Sequence, residues 1–234
     1  MLIKVCGMRV AQNIRDVSAL GVDWLGLVFC PKSPRFVTQI ASRGGLIPDY
    51  NSLDGETPQL GVSHLLMPRN NHPLRVGVFM DDMPQNIVTR VFNFNLDIVQ
   101  LHGEESPVMI DNLRHTLDPD IRPGFKIAKT IFIESKEDFD QCAVYEDVVD
   151  YFVFHNKCAQ AGGSGEKFDW SLLSHYDGKI PFLLSGGIGP EDVEAIKSIQ
   201  HPMMLGVDIN SKFEIEPGLK DVEKIRDFVD RLRE

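Results

Sequence analysis

Short, nearly unbroken apolar runs alternate along this chain with longer stretches whose apolar side chains recur every third or fourth position. The runs at Leu2 to Cys6, Asp23 to Phe29, Leu74 to Met80, Asp97 to His102, Phe125 to Ile131, Val149 to His155, Pro181 to Ser185 and Met203 to Asp208 read as eight strands, many of them covered on both faces. Between them, Pro84 to Phe94, Ser106 to Leu117, Ser135 to Ala143, Pro190 to Ile199 and Leu219 to Leu232 carry helical spacing. Pro84, Pro107 and Pro190 stand at helix starts, where a missing N–H costs little, and Ser135 and Asp169 are candidate N-caps. Repeated strand–helix units imply a parallel sheet. Eight of them in 234 residues predict an α/β protein of the (β/α)8 TIM-barrel class, a fold of roughly 250 residues. Thr38 to Pro73 breaks the pattern, with Gly44-Gly45, Asp54-Gly55 and Asn70-Asn71 but no amphipathic stripe, so the second helix is expected to be irregular or replaced by loop. No linker or low-complexity segment divides the rest, and residues 1–234 are expected to form a single barrel domain.

A hydrophobic fraction of 43% and a charged fraction of 25% are those of a globular chain able to fill a core. No apolar run approaches the ~18 residues of a membrane span, and the chain opens on the strand-like Leu2 to Cys6, so a cytoplasmic protein without a membrane partner is expected. The net charge of -10 argues against a nucleic-acid partner and requires any anionic small molecule to be held by local groups. Cysteines 6, 30, 142 and 158 lack metal-site spacing and read as reduced thiols, with no metal expected.

Barrels of this kind place chemistry in the loops after each strand. Cys6 ends the first strand; alone it reads as a small buried hydrophobe, but Gly7 behind it allows a sharp turn beside the thiol. After the second strand, Cys30-Pro31-Lys32-Ser33-Pro34-Arg35 is a proline-stiffened loop ending in a guanidinium, either a solvated charge or a clamp for carboxylate or phosphate. His102, in Gln100-Leu101-His102-Gly103-Glu104, closes the fourth strand and alone is more often structural than catalytic. Ser185-Gly186-Gly187-Ile188-Gly189-Pro190 and Gly206-Val207-Asp208-Ile209-Asn210-Ser211-Lys212 follow strands seven and eight, where such barrels frequently bind phosphate on free backbone N–H groups.

Several of these segments in one order are specific. Lys4-Val5-Cys6-Gly7, Ser33-Pro34-Arg35, Gly77-Val78-Phe79, Asp97 to Glu104, Gly162-Gly163-Ser164-Gly165 with Phe168-Asp169-Trp170, Ser185-Gly186-Gly187, Gly206-Val207-Asp208 and Pro217 to Asp221 together resemble, nearly end to end, the phosphoribosylanthranilate isomerases of tryptophan biosynthesis. The resemblance implies a cofactor-free Amadori rearrangement of N-(5-phosphoribosyl)anthranilate to 1-(2-carboxyphenylamino)-1-deoxyribulose 5-phosphate. An acid opens the furanose ring to a Schiff base, and a base removes the C2 proton to give an enolamine. It further implies Cys6 as the base, a role served if positive neighbours lower the thiol pKa toward neutrality, and Arg35 on the anthranilate carboxylate. Asp208 is implied to position substrate, and Gly186, Gly187, Asn210 and Ser211 to hold its phosphate. The expected partner is this small phosphorylated substrate, and the protein a monomer or homodimer.

Three departures stand out. The segment between Arg35 and Gly77 is longer than in the family, Asn210 to Glu214 lacks a usual glycine, and His155 stands where the family has its acidic aspartate. Strand alternation puts Asp150 on the opposite face from His155, so position 155 acts itself or not at all. An imidazole of ordinary pKa about 6.5 is partly protonated near neutrality and would lose that proton as pH rises. Its bland alternative is a space-filling or loop-bonding histidine, in a barrel that only binds a phosphorylated ligand. Another sugar-phosphate barrel enzyme is the third reading, although Cys6-Gly7 replaces the lysine expected of an indoleglycerol-phosphate synthase, and no aspartate ends the first strand as in the histidine-pathway isomerase.

Overall fold

The computed structural model describes residues 1–37, 72–118, 120–157 and 167–234. Eight parallel strands, β1 (Leu2–Val5), β2 (Trp24–Val28), β3 (Leu74–Phe79), β4 (Ile98–Leu101), β5 (Lys126–Ile133), β6 (Tyr151–Asn156), β7 (Phe182–Ser185) and β8 (Met204–Ile209), close in sequence order into a barrel. Each lies within one or two residues of its expected run at the strand start and end. The α-helices are α1 (Ala11–Ser18), α2 (Pro84–Phe94), α3 (Pro107–Leu117), α4 (Val193–Ser198) and α5 (Val222–Arg233). Pro84 and Pro107 occupy the first turns of α2 and α3, and the Ser106 hydroxyl accepts from the Met109 amide at 3.2 Å.

Three helical expectations need correction. Lys136–Val144 is a 3-10 helix, begun where the Asp138 carboxylate takes the Ser135 amide at 2.8 Å. Pro190–Asp192 is likewise a 3-10 turn leading into α4. Leu219 and Lys220 form a strand, β10, against β9 (Glu214–Glu216), and the last helix starts only after the Asp221 cap, which accepts from Lys224 at 3.0 Å. Thr38 to Pro73, where an irregular helix or loop is expected, lies almost wholly outside the described residues, as do Cys158 and Gly162 to Gly165.

Alternation along each strand divides the core. Phe152, Phe154 and Phe182 turn outward and pack with Phe139 and Tyr176 beneath the helical layer, ring centroids 4.6 to 6.2 Å apart. Trp24, Val76, Ile98, Ala128, Val153 and Leu183 turn inward and fill the barrel floor. Above this floor the inward layer changes character on β1, β4, β5, β7 and β8, because Lys4, Gln100, Thr130, Ser185 and Asp208 are polar and all buried. One more step places Cys6, His102, Phe132, His155 and Asn210 at the C-terminal mouth. Asp150 faces away from the mouth, as expected, holding Arg114 at 2.8 Å and Lys126 at 2.9 Å on the outer side.

Candidate active site

Cys6 follows β1, with its amide bonded to the Ile209 carbonyl at 2.9 Å, and Gly7 turns the chain at φ 76. Gly26 on β2 faces the thiol directly: a Cβ there would lie 2.7 Å from Sγ. Gly26→Ala is therefore expected to displace the thiol, costing about 1–3 kcal/mol in folding and lowering kcat by roughly 10²-fold, checked by urea unfolding and steady-state kinetics on the same preparation.

Below Cys6 lies a lysine with no access to solvent. Lys4 Nζ donates to Gln100 Oε1 at 2.6 Å and to Asp208 Oδ2 at 2.9 Å. Burial disfavours the charge, yet Asp208 and Cys6 together outweigh it and raise the Lys4 pKa. Burial also dominates at Cys6 and pushes its thiol up, against the pull of Lys4 and Lys220 toward thiolate. The cations expected beside the thiol are present, but they do not carry its pKa toward neutrality, and Cys6 rests as a thiol.

Asp208 receives Lys4 and the Ser185 hydroxyl, at 3.3 Å, on Oδ2. Its Oδ1 is buried and has no partner among the described residues, an arrangement that costs about 1–3 kcal/mol unless a ligand group donates to it. His155 ends β6. Its Nδ1 lies 2.8 Å from the Asn156 carbonyl, which only accepts, so Nδ1 carries the proton and Nε2 makes no bond to a described residue. Burial lowers the His155 pKa, opposed by the bond to Asn156 and the Asp208 charge.

Arg35 differs from the free clamp read in the sequence. Its Nε lies 2.8 Å and its Nη2 2.6 Å from the Glu214 carboxylate, which also takes Lys220 at 2.7 Å. Only Nη1 makes no bond to a described residue, so a substrate carboxylate would meet the guanidinium on that edge. Because Arg35 and Glu214 are both buried, Arg35→Ala is expected to cost about 3–5 kcal/mol in stability besides weakening anthranilate-bearing ligands more than simple sugar phosphates. Urea unfolding and calorimetry with both ligand types check this; equal losses for the two ligands would remove Arg35 from carboxylate recognition.

The phosphate segments separate. The amides of Gly186 and Gly187 donate to no described residue and remain available to an oxyanion. Asn210 is held by Lys220, which donates to its Oδ1 at 2.6 Å and to its carbonyl at 3.2 Å, so its donors, Nδ2 and the backbone N–H, remain with the Ser211 turn for a phosphate. Burial lowers the Lys220 pKa to about 8 despite Glu214. Nearby, Lys212 meets Glu191 at 3.2 Å, and Lys167 pairs with Asp192.

Sequence reasoning did not single out Lys4, Gln100, Thr130, Glu214 or Lys220. A signal existed for Lys4, a lysine at an inward position of an otherwise apolar strand between Leu2 and Cys6.

A closed (β/α)8 barrel with titratable groups on inward strand ends and open backbone amides after β7 has the arrangement of a TIM-barrel enzyme. The family model described as N-(5'-phosphoribosyl)anthranilate (PRA) isomerase matches residues 62–231. An N-(5'-phosphoribosyl)anthranilate isomerase of Parabacteroides distasonis is 43% identical over 232 residues, covering 99% of this chain and 93% of its own, and that of Phocaeicola vulgatus is 35% identical over 234 residues, covering 100% and 98%. Among solved structures, a phosphoribosyl anthranilate isomerase in complex with reduced 1-(o-carboxyphenylamino)-1-deoxyribulose 5-phosphate superimposes with a TM-score of 0.73 at 25% identity, covering 100% of this chain and 98% of its own. Monomers generated from the dimeric Thermotoga maritima enzyme give 0.73 at 26% identity, covering 100% and 99%. The chain belongs to the N-(5'-phosphoribosyl)anthranilate isomerase family.

Proposed function

We propose that this chain isomerises N-(5-phosphoribosyl)anthranilate to 1-(2-carboxyphenylamino)-1-deoxyribulose 5-phosphate with Cys6 as base and His155 as acid. The observation that carries this reading is the buried Lys4–Asp208 pair, whose two charges act on both groups: at Cys6 Lys4 favours the thiolate more than Asp208 opposes it, and at His155 Asp208 favours the imidazolium more than Lys4 opposes it. At rest burial holds both groups neutral. Moving one proton from Sγ to Nε2 gives the reactive thiolate–imidazolium form without changing the charge of the site. The imidazolium then donates Nε2–H to the furanose oxygen as the C1–O bond breaks, leaving the Schiff base. The thiolate takes the C2 proton, and the electron pair of that C–H bond forms the C1–C2 double bond of the enolamine. Both groups are neutral again.

Nη1 of Arg35 receives the anthranilate carboxylate, Asp208 Oδ1 accepts from the substrate amine or a sugar hydroxyl, and the amides of Gly186, Gly187 and Ser211, with the backbone of Asn210, receive the phosphate. The reading needs no cofactor, metal or nucleic acid. It describes one barrel domain working as a monomer or homodimer in the cytoplasm, and no helix among the described residues is long and apolar enough to cross a membrane. The test is to mix purified protein with freshly made phosphoribosylanthranilate and follow loss of its fluorescence. Turnover supports the reading. Binding of the reduced product analogue without turnover would make this a ligand-binding barrel that lost its acid at position 155.

A further inference from the structure

We propose that His102 is a second group on the reacting sugar, a neutral donor whose Nε2–H binds the oxygen on C2. This rests on the isomerase reading above and extends it to a residue that reading does not use.

One buried chain of hydrogen bonds fixes where each hydrogen lies. Lys4 Nζ can only donate, so the Gln100 oxygen faces it, at 2.6 Å. That fixes the amide, and Gln100 Nε2 donates to Thr130 Oγ1 at 3.1 Å. Thr130 Oγ1 has one other neighbour among the described residues, His102 Nδ1 at 3.0 Å. If Nδ1 carried the proton, the threonine hydrogen would be left without an acceptor in a buried layer. If the hydroxyl donates to Nδ1, every group is satisfied. His102 is then the Nε2–H tautomer, and that nitrogen, on the far side of the ring from Thr130, has no partner among the described residues.

The ring is also held in place. His102 packs edge-on to Phe132 at 5.1 Å and to His155 at 5.5 Å, and Phe132 packs on His155 at 5.8 Å. This puts the donor beside the acid. Burial first, and then His155, Lys4 and Lys129 around it, lower the His102 pKa to about 3. The group stays a neutral donor wherever the enzyme works and does not compete with His155 for the catalytic proton. The C2 oxygen suits such a partner, because it passes from hydroxyl through enol to ketone and accepts a hydrogen bond at each stage. A preorganised donor there is the kind whose loss costs about 10²–10³ in rate.

Two measurements on the full chain test this. In ¹⁵N-histidine spectra of the free protein, His102 is expected as the Nε2–H tautomer with no titration between pH 5 and 9, and Thr130→Val is expected to release that tautomer. This needs no turnover, so it separates the present inference from the isomerase reading. An Nδ1–H tautomer, or titration in that range, overturns it. Second, the wild type should bind the reduced product analogue about tenfold tighter than a version lacking the C2 oxygen. His102→Ala should erase that preference and lower kcat about 10²-fold, His102→Gln should restore part of both, and neither variant should move the limbs of the pH profile. A preference that survives His102→Ala overturns the contact.

Discussion

Cys6→Ser is expected to lower kcat by about 10³–10⁴-fold while leaving affinity for the reduced product analogue nearly unchanged. The substitution exchanges sulfur for oxygen in a site where Gly26 leaves little room, so packing and the Ile209 bond to the Cys6 amide persist. What is lost is the anion. A buried thiol already sits above its ordinary range and needs the Lys4 and Lys220 charges to ionise at all; an alcohol, several units less acidic, does not ionise in the same field. No other cysteine among the described residues replaces it, since burial pushes Cys30 and Cys142 up to about 12. Steady-state kinetics with calorimetry on the same sample decide the matter, and near-normal kcat in the serine variant removes Cys6 from the mechanism.

The strands were legible because a barrel strand is covered on both faces and needs apolar residues at nearly every position, which no other local structure of that length demands. α1 was not, because its buried face consists of Ile14, Val17 and the amide of Asn13, which bonds the Lys220 carbonyl at 2.8 Å; an amide in an apolar stripe erases the period. Lys220 reads as helical for the converse reason, since Leu219 supplies an apolar position in phase with α5 although the helix begins only after the Asp221 cap, two residues further on. Cys6 and Arg35 could be picked out because one ends a strand and the other lies in the loop beyond one, and His155 and Asp208 because they stand at positions the family resemblance marks. Their partners could not. Glu214 lies 179 residues from Arg35 and Gln100 lies 96 from Lys4, and nothing in a local pattern reports a pairing that exists only once the barrel closes.

His155→Ala is expected to lower kcat at neutral pH by about 10²–10³-fold and to change the shape of the pH profile, whereas His155→Asp remains active. In the wild type the reactive form of the Cys6–His155 pair holds one proton between its two members. Below the His155 pKa both are protonated, and no base remains. Above the Cys6 pKa both are bare, and no acid remains. The result is a bell, and its limbs belong to the pair as a unit. Burial, partly offset by the Asn156 carbonyl and Asp208, puts the acid limb below the ordinary histidine value of about 6.5. Burial of Cys6, partly offset by Lys4 and Lys220, puts the alkaline limb above the ordinary thiol range. The plateau is therefore wide on both sides, and the alkaline fall anticipated from the free imidazole pKa does not occur there, because the proton lost above 6.5 is not the one the neutral pair shares. Of the groups around the pair, the His102 ring stays neutral, whereas Lys220 beside Cys6 has its pKa lowered to about 8; as it loses its charge it ceases to favour the thiolate and moves the alkaline limb further up. Removing the imidazole removes the acid limb. The alanine variant keeps only the base, and its residual rate should rise with pH as Cys6 ionises, without the fall that a missing acid imposes on the wild type. The aspartate variant should recover a bell whose acid limb follows the new carboxyl. The measurement is kcat against pH for the three proteins, and an alanine variant that keeps the wild-type bell at the wild-type rate shows that His155 carries no proton in catalysis.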